Sequence, residues 1–509
     1  MTQGASPPAT VQRVLLPLWL RIVLVAVAAN LLRLAASLDD FWLDEIWSWG
    51  LVREQVQHPL DILLALRHDN NHLLTSWWIY TLGPDVDWRW YRLPSALLGS
   101  ATVLLARRAV VRDGIPAVRA VTLLTVPSYL LIHYTSEARG YAGMMFAVAA
   151  CLVLLQRLLP PGRGEAPMER ASGGRRSFDL GLFWLSAMFG CLAHATFYYA
   201  FVALGLWACY RLLTSRTRWL AKITELLSLF VIPGLFGLIL WLVSYSQLQI
   251  GGGDIQNPWL VGAATASLLL GGPSAGEGIL LGALLLAILI GTEIVVLIRT
   301  GDDRWVLWLA MLIVPALLIA VLGHEVIYPR YFLATVLCLQ IALGSLLGRA
   351  LSRRGMPRIV AWGSLAAITL GNGLHLQTLY RAGRGHPAAV VRWMAERTSG
   401  DQILVGSDNA FRHGLVLAYY LQELPPDKTL LHFGTGPWPP GGPEWLLLHN
   451  QDLEWAPEPE LLVGDGLRFR LEKVFPYAGL SGWQTAVYRS VALESQSAPP
   501  RDVGENGPA

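Results

Sequence analysis

Asp39-Asp40-Phe41-Trp42-Leu43-Asp44-Glu45-Ile46-Trp47 follows directly on an apolar run, residues 14–37, that is long enough to cross a bilayer. The block sets two adjacent carboxylates, Asp44 and Glu45, among Phe41, Trp42, Trp47 and Trp49. Tryptophan rings settle at the depth of lipid headgroups. Carboxylates at that depth cost free energy and usually serve a purpose. Taken alone, the block also reads as a solvated loop that closes a first span, so the rest of the chain has to decide.

The chain has 509 residues, of which 54% are hydrophobic and only 15% charged, and its mean hydropathy is +0.44. Soluble domains carry about 25% charged residues. So few charges on so long a chain predict a polytopic membrane protein. The net charge of +3 says little by itself, and no nucleic-acid partner is expected. Cys151, Cys191, Cys209 and Cys338 all fall inside apolar runs, without the close spacing of a metal or redox motif, and read as small buried residues. No small-residue cleavage site follows the first apolar run, which reads as a retained span.

Apolar runs near bilayer length lie at 14–37, 91–111, 117–135, 140–159, 179–195, 197–213, 220–244, 279–299, 304–323, 331–349 and 358–378, or about eleven spans. Arginines gather in alternate turns: Arg107, Arg108, Arg112 and Arg119; then Arg157 to Arg176; then Arg211 to Lys222; then Arg299 and Arg304; then Arg349 to Arg358. The positive-inside bias makes those turns cytoplasmic. The Asp44–Glu45 loop (38–90), the turn 134–140, the Gly-rich stretch 248–278, the turn 324–330 and everything after 380 then fall outside. Leu60 to Leu66 and His72 to Leu82 read as short amphipathic helices on the outer surface, and 160–177 as a flexible cytoplasmic loop. Strand-length segments at 402–406, 444–449 and 485–489 predict a small extracytoplasmic α/β domain over 381–490. Residues 491–509 read as a disordered tail. The expected architecture is an all-α polytopic membrane domain, residues 1–380, followed by that domain, in the plasma (inner) membrane.

Four polar and aromatic patches fall on the outer side: Asp44–Glu45; Arg67 to His72; Tyr134 to Tyr141; and His324 to Tyr331. Gathered at one end of a bundle, they could line one cavity. Each has a plainer reading. Asp69 and His72 suggest a metal pair only weakly, because no further ligand spacing accompanies them. Glu137 and Arg139 could simply anchor two helix ends, and Arg330 could snorkel to the headgroups. Its outer position runs against the positive-inside bias.

The order of these motifs resembles the dolichyl-phosphate-mannose–protein mannosyltransferase-like family, whose bacterial branch includes aminoarabinose transferases. The first span carries Arg33 near its end; then come Trp42-Leu43-Asp44-Glu45, Asn71-His72, Arg92-Leu93-Pro94-Ser95, Glu137-Ala138-Arg139-Gly140-Tyr141 and Pro329-Arg330-Tyr331. His72 precedes Leu73-Leu74, where that family often has His-Pro-Pro. The resemblance implies a glycosyltransferase that takes a sugar from a polyprenyl-phosphate donor in the lipid bilayer and passes it, with inversion, to a glycan, lipid or protein acceptor. Asp44 would be the general base and Glu45 its companion. His68, Asn71, His72, Arg92, Glu137, Arg139, Tyr141, Arg330 and Tyr331 would bind substrate. No metal ligands are assigned, although the resemblance leaves room for a divalent cation. A flippase for lipid-linked sugars and an O-antigen-polymerase-like enzyme are the competing readings.

The basic-residue pattern predicts that a reporter fused after residue 385 reads as extracytoplasmic and one near Gly164 as cytoplasmic. If both read as cytoplasmic, the outer cavity is misplaced.

Overall fold

The computed structural model describes residues 17–160, 173–322, 326–464 and 466–492, apart from 252 and 254. The expected tail from 493 onward, most of the 160–177 loop, and His324 and Glu325 lie outside the described residues. The chain opens with α1 (Leu18–Ser37), α2 (Leu43–Gln55), α3 (Asp61–Leu64), α4 (Leu73–Leu82) and α5 (Trp88–Ala109). It continues with α6 (Ile115–Thr125), α7 (Tyr129–Thr135), α8 (Tyr141–Leu158), α9 (Gly174–Ala193), α10 (Phe197–Thr214) and α11 (Trp219–Val243). Then follow α12 (Pro258–Leu269), α13 (Gly278–Thr300), α14 (Arg304–Leu322), α15 (Leu333–Leu351) and α16 (Met356–Ala382).

Among the described residues, eight helices are long and apolar enough to cross a membrane: α1, α8, α10, α11, α13, α14, α15 and α16. The pair α6 and α7 passes the same test jointly but bends by 59° at its break. Pro127 sits at that break without an N–H to continue the helix. Ser128 restarts it, its Oγ accepting from the Leu131 N–H at 3.5 Å and from Gln340 on α15 at 2.8 Å. Helices α5 and α9 have span length, 22 and 20 residues, but are more polar. The stretch 248–278, read from its glycines as loop, contains the short apolar α12, capped by Asn257 and started by Pro258.

Helices α8 and α15 are hydrophobic all round and almost wholly buried, so they form the middle of the bundle. Helices α11 and α13 instead expose Leu235, Ile239, Leu281 and Leu284, as a lipid-facing surface would. At one set of helix ends, arginines assigned to the cytoplasmic turns are ion-paired. Arg211 meets Asp303 at 2.5 Å, and Arg304 meets Asp113 at 2.7 Å.

The C-terminal domain adds α17 (Pro387–Arg397), α18 (Ala410–Tyr419) and the strands β1 (Gln402–Ser407), β2 (Thr429–His432), β3 (Trp445–Asn450), β4 (Glu460–Val463), β5 (Leu467–Phe475) and β6 (Gln484–Ser490). The sheet order is β2-β1-β3-β6-β5-β4. Strands β2, β1 and β3 run parallel, and the other pairs are antiparallel. This domain sits on the opposite helix ends from the Arg211 and Arg304 pairs. Tyr129 OH donates to Ala478 O and Tyr420 OH to Phe41 O, both at 2.7 Å, and Asp40 Oδ2 accepts from Ala388 N at 3.0 Å.

One buried ion pair ties together the elements beneath that domain. Arg92 on α5 meets Glu45 on α2 with two nitrogens, Nε to Oε1 at 2.8 Å and Nη2 to Oε2 at 2.5 Å. Both side chains are fully buried. Arg92 also donates to the carbonyls of Ser37, Asp39 and Asp40, which end α1. Glu45 Oε1 takes a further bond from Ala138 N at 2.6 Å. Removing one member of a buried pair costs about 3–5 kcal/mol. Arg92→Ala is therefore expected to lower the unfolding temperature sharply in detergent. The apolar double replacement Arg92→Met with Glu45→Leu is expected not to restore it, because three carbonyls and two N–H groups still lose their partners. Full recovery in the double variant would show that the pair acts alone.

Candidate functional site

Residues 43–55 form a helix, and successive residues of a helix point about 100° apart. Asp44 and Glu45 are therefore sent in different directions. Glu45 is the third helical residue, reaches back to the Trp42 N–H at 3.4 Å and turns into the bundle. Asp44 points into a cavity of about 350 Å³ between the membrane helices and the C-terminal domain.

Two arginines meet Asp44 there. Arg330 Nη1 lies 2.6 Å from Asp44 Oδ2, and Arg139 Nη2 approaches the same oxygen at 4.0 Å. Arg139 Nη1 donates to the Asp44 carbonyl and to Ser48 Oγ, each at 3.0 Å. Tyr328 and Tyr331 stand under the Arg330 guanidinium at 4.5 and 5.9 Å from their ring centres. Three buried donors beside Asp44 have no hydrogen-bond partner among the described residues: Arg139 Nε, Arg330 Nε and the Tyr141 hydroxyl. Buried donors are nearly always satisfied, and three unmet ones around two guanidinium groups suit an anionic ligand such as a phosphate.

Gly140, between Arg139 and Tyr141, allows this arrangement. A Cβ there would stand 1.8 Å from the Ala193 carbonyl oxygen, so the turn can press against the end of α9 only as glycine.

The opposite wall is polar and aromatic. Asn71 turns a buried Oδ1 without a partner among the described residues. Asp69 accepts from Trp47 Nε1 at 3.2 Å and from Gly251 N at 2.9 Å, which fastens the loop after α3 to the segment before α12. His68 stands beside Asp69 at 2.8 Å. The C-terminal domain closes the cavity with Phe411, Arg412, Gln451 and Trp483.

Of the residues singled out in the sequence, Asp44, His68, Asn71, Arg139, Tyr141, Arg330 and Tyr331 line this cavity together. Glu45, His72, Arg92 and Glu137 do not. His72 is buried behind the wall, with Nε2 at 3.1 Å from Ser48 Oγ. Ser48 in turn donates to the Asp44 carbonyl at 2.8 Å. Burial, reinforced by Arg139, holds the His72 imidazole well below its usual range, so the ring is neutral and meets Ser48 as a single donor. Glu137 is fully buried and engaged by Arg384 at 3.3 Å and His133 at 3.4 Å.

Sequence reasoning missed Ser48, although Asp44 and Ser48 are four apart and share a face once 43–55 is taken as a helix. It also missed Phe411, Arg412, Gln451 and Trp483, which carry no motif. The helical ends and the glycine-supported turn place a carboxylate, two guanidinium groups and a phenol around one space.

No protein-family model matches the sequence, and no curated protein matches it. Among solved structures, the chain is similar to ArnT from Cupriavidus metallidurans in the apo state, with a TM-score of 0.50 and 14% identity over 95% of this chain and 100% of that one. The same protein bound to undecaprenyl phosphate gives a TM-score of 0.49 and 14% identity over 95% of this chain and 99% of that one. The likeness is one of fold and runs the whole length of the solved protein: this chain has an ArnT-like membrane fold with a small C-terminal sheet domain.

Proposed function

We propose that the protein is a membrane glycosyltransferase that moves a sugar from a polyprenyl-phosphate donor to an acceptor hydroxyl on the extracytoplasmic face. The observation that carries this reading is the meeting of one carboxylate, Asp44, with two arginines whose buried Nε donors are unmet among the described residues. The order of motifs around that meeting supports it, as does the ArnT-like fold. A polar-lined cavity at the end of a hydrophobic bundle also suits a donor whose tail stays in lipid.

In this reading the Asp44 carboxylate takes the proton of the acceptor hydroxyl as its oxygen bonds to the anomeric carbon. The bond from that carbon to the phosphate oxygen breaks in the same displacement, which inverts the anomeric centre. The departing polyprenyl phosphate gains negative charge, and preorganised donors aimed at such charge lower the barrier. Arg330, Arg139 and the Tyr141 hydroxyl are those donors. Arg330 suits the task because its planar fork matches two phosphate oxygens. Glu45 is a positioning residue: clamped by Arg92, it fixes the start of α2 and so the direction of Asp44.

Asp44→Asn keeps the size of the side chain but cannot take the proton. Single-turnover transfer from a polyprenyl-phosphate sugar in nanodiscs is expected to fall by about 10²–10⁴-fold, the usual worth of a positioned base. Donor binding is expected to hold or tighten, since the loss lies in the transition state and the variant releases Arg330 from its carboxylate. Arg330→Lys is expected to do the reverse and weaken donor binding. Near-normal transfer by Asp44→Asn would remove Asp44 as the base. Lipid translocation without any transfer by the wild type would make the protein a carrier.

A further inference from the structure

Three side chains meet where the parallel strands of the C-terminal domain end. Asp408 directly follows β1, His449 lies near the end of β3, and His413 stands on the first turn of α18. From β1 the chain passes through α18 to β2 on one side and then returns to β3 on the other. The gap between β1 and β3 is therefore a topological switch point, and its carboxyl end is where open α/β sheets bind their ligands.

One ligand atom from each residue lies within 4.8 Å of the other two. Asp408 Oδ1 is 3.1 Å from His413 Nε2 and 2.8 Å from His449 Nδ1. Asp408 Oδ2 is held by the His449 N–H at 2.8 Å, which fixes the carboxylate and leaves Oδ1 facing the two rings. His413 is only 3% exposed, and its Nε2 has no hydrogen bond among the described residues, because Asp408 is near but not aligned with it. A buried ring nitrogen left in that state is costly.

We infer that Asp408, His413 and His449 form a binding site for a first-row divalent cation, with zinc as the fitting ion. Two imidazole nitrogens and one carboxylate oxygen are a zinc donor set, and three protein ligands leave a fourth position for water. Tetrahedral ligands about 2.1 Å from the ion stand about 3.4 Å apart, so the two contacts of Asp408 Oδ1, at 3.1 and 2.8 Å, need to lengthen by only about 0.3 and 0.6 Å. The second oxygen of Asp408, bound to backbone, plays the orienting part that outer contacts play around bound metals.

The site adjoins the main cavity through Trp483, which packs against both imidazoles and lines that cavity, and through Arg412. Arg412 Nη1 now lies 2.9 Å from His449 Nε2. With Nδ1 on the cation, His449 carries its proton on Nε2 and no longer accepts from Arg412. The guanidinium then turns toward the cavity that Arg412 already lines. Nothing in this assignment depends on the transferase reading.

The test uses full-length protein in detergent, stripped with a chelator, exchanged into buffer containing zinc, washed and analysed for bound metal. One zinc per chain is expected for wild type, with a rise in unfolding temperature on zinc addition. Asp408→Asn and His449→Gln are each expected to weaken zinc binding by more than the roughly 10–100-fold that outer partners alone contribute. His449→Gln lies at the sheet end and guards against a misfolded His413→Asn. Arg412→Ala is expected to bind zinc at least as tightly as wild type, since it removes a nearby positive charge. Less than one zinc per chain in wild type, or unchanged affinity in both ligand variants, would overturn the assignment.

Discussion

Glu45 and Arg92 lie at the centre of everything the cavity needs. Two charges leave water there, and their desolvation is offset only because each atom that can bond does so: four elements supply partners to the pair. Such a set has little tolerance for rotation. If α2 turned about its axis by one residue, the cavity would receive Glu45 in place of Asp44, leaving Arg92 buried without its carboxylate. The desolvation penalty that makes buried pairs costly to break thus becomes the force that aims Asp44.

A second buried cation does the same for the C-terminal domain. Arg384 is fully buried below that domain, between Asp39 at 3.1 Å and Glu137 at 3.3 Å, and donates to His133 O and Ser136 Oγ. It follows α16 by two residues, so the link between the domains is itself pinned into the membrane bundle. Glu137 serves this link and Arg139, two residues later, serves the cavity. The tight turn between α7 and α8 splits its charges as α2 splits its own. The domain that supplies Phe411, Arg412, Gln451 and Trp483 is thereby held at a fixed height over Asp44, and the cavity owes its closed wall to a salt bridge outside it.

Much of this was legible in the sequence, and the reasons for the rest are physical. Hydropathy placed the apolar helices because lipid imposes length and apolarity directly. It ran α6 and α7 together, because one proline and one capping serine leave a run apolar while bending it by 59°. It missed α12, whose twelve residues are short of a bilayer and follow a glycine-rich stretch. At the site, Asp44, Arg139, Tyr141 and Arg330 were found because charge near a span end is conspicuous. Glu45, Arg92, Glu137 and His72 were singled out by the same signal, and the structure places them behind the cavity wall. Conspicuous charge marks a group that needs a partner, and nothing local tells whether that partner is substrate or protein. Gln451 and Trp483 were beyond reach, since only the docking of a domain some four hundred residues along the chain brings them near Asp44.

The same oxygen of Asp44 that meets Arg330 at 2.6 Å is one of the two that could accept a proton. While the guanidinium holds Oδ2, an acceptor hydroxyl has only Oδ1 to approach. Arg330 also keeps an unmet Nε, so it can turn its fork toward the singly charged phosphodiester of a polyprenyl-phosphate sugar. A donor phosphate entering beside Tyr141 would compete with Asp44 for Arg330 and, on winning, expose Oδ2. Charge on the donor would then prepare the base that uses it. A neutral occupant of the cavity, having nothing to offer Arg330, would leave the ion pair closed. The Ser48 and His72 contacts keep Arg139 on the Asp44 backbone throughout, so one arginine is free to change partners while the other holds the frame.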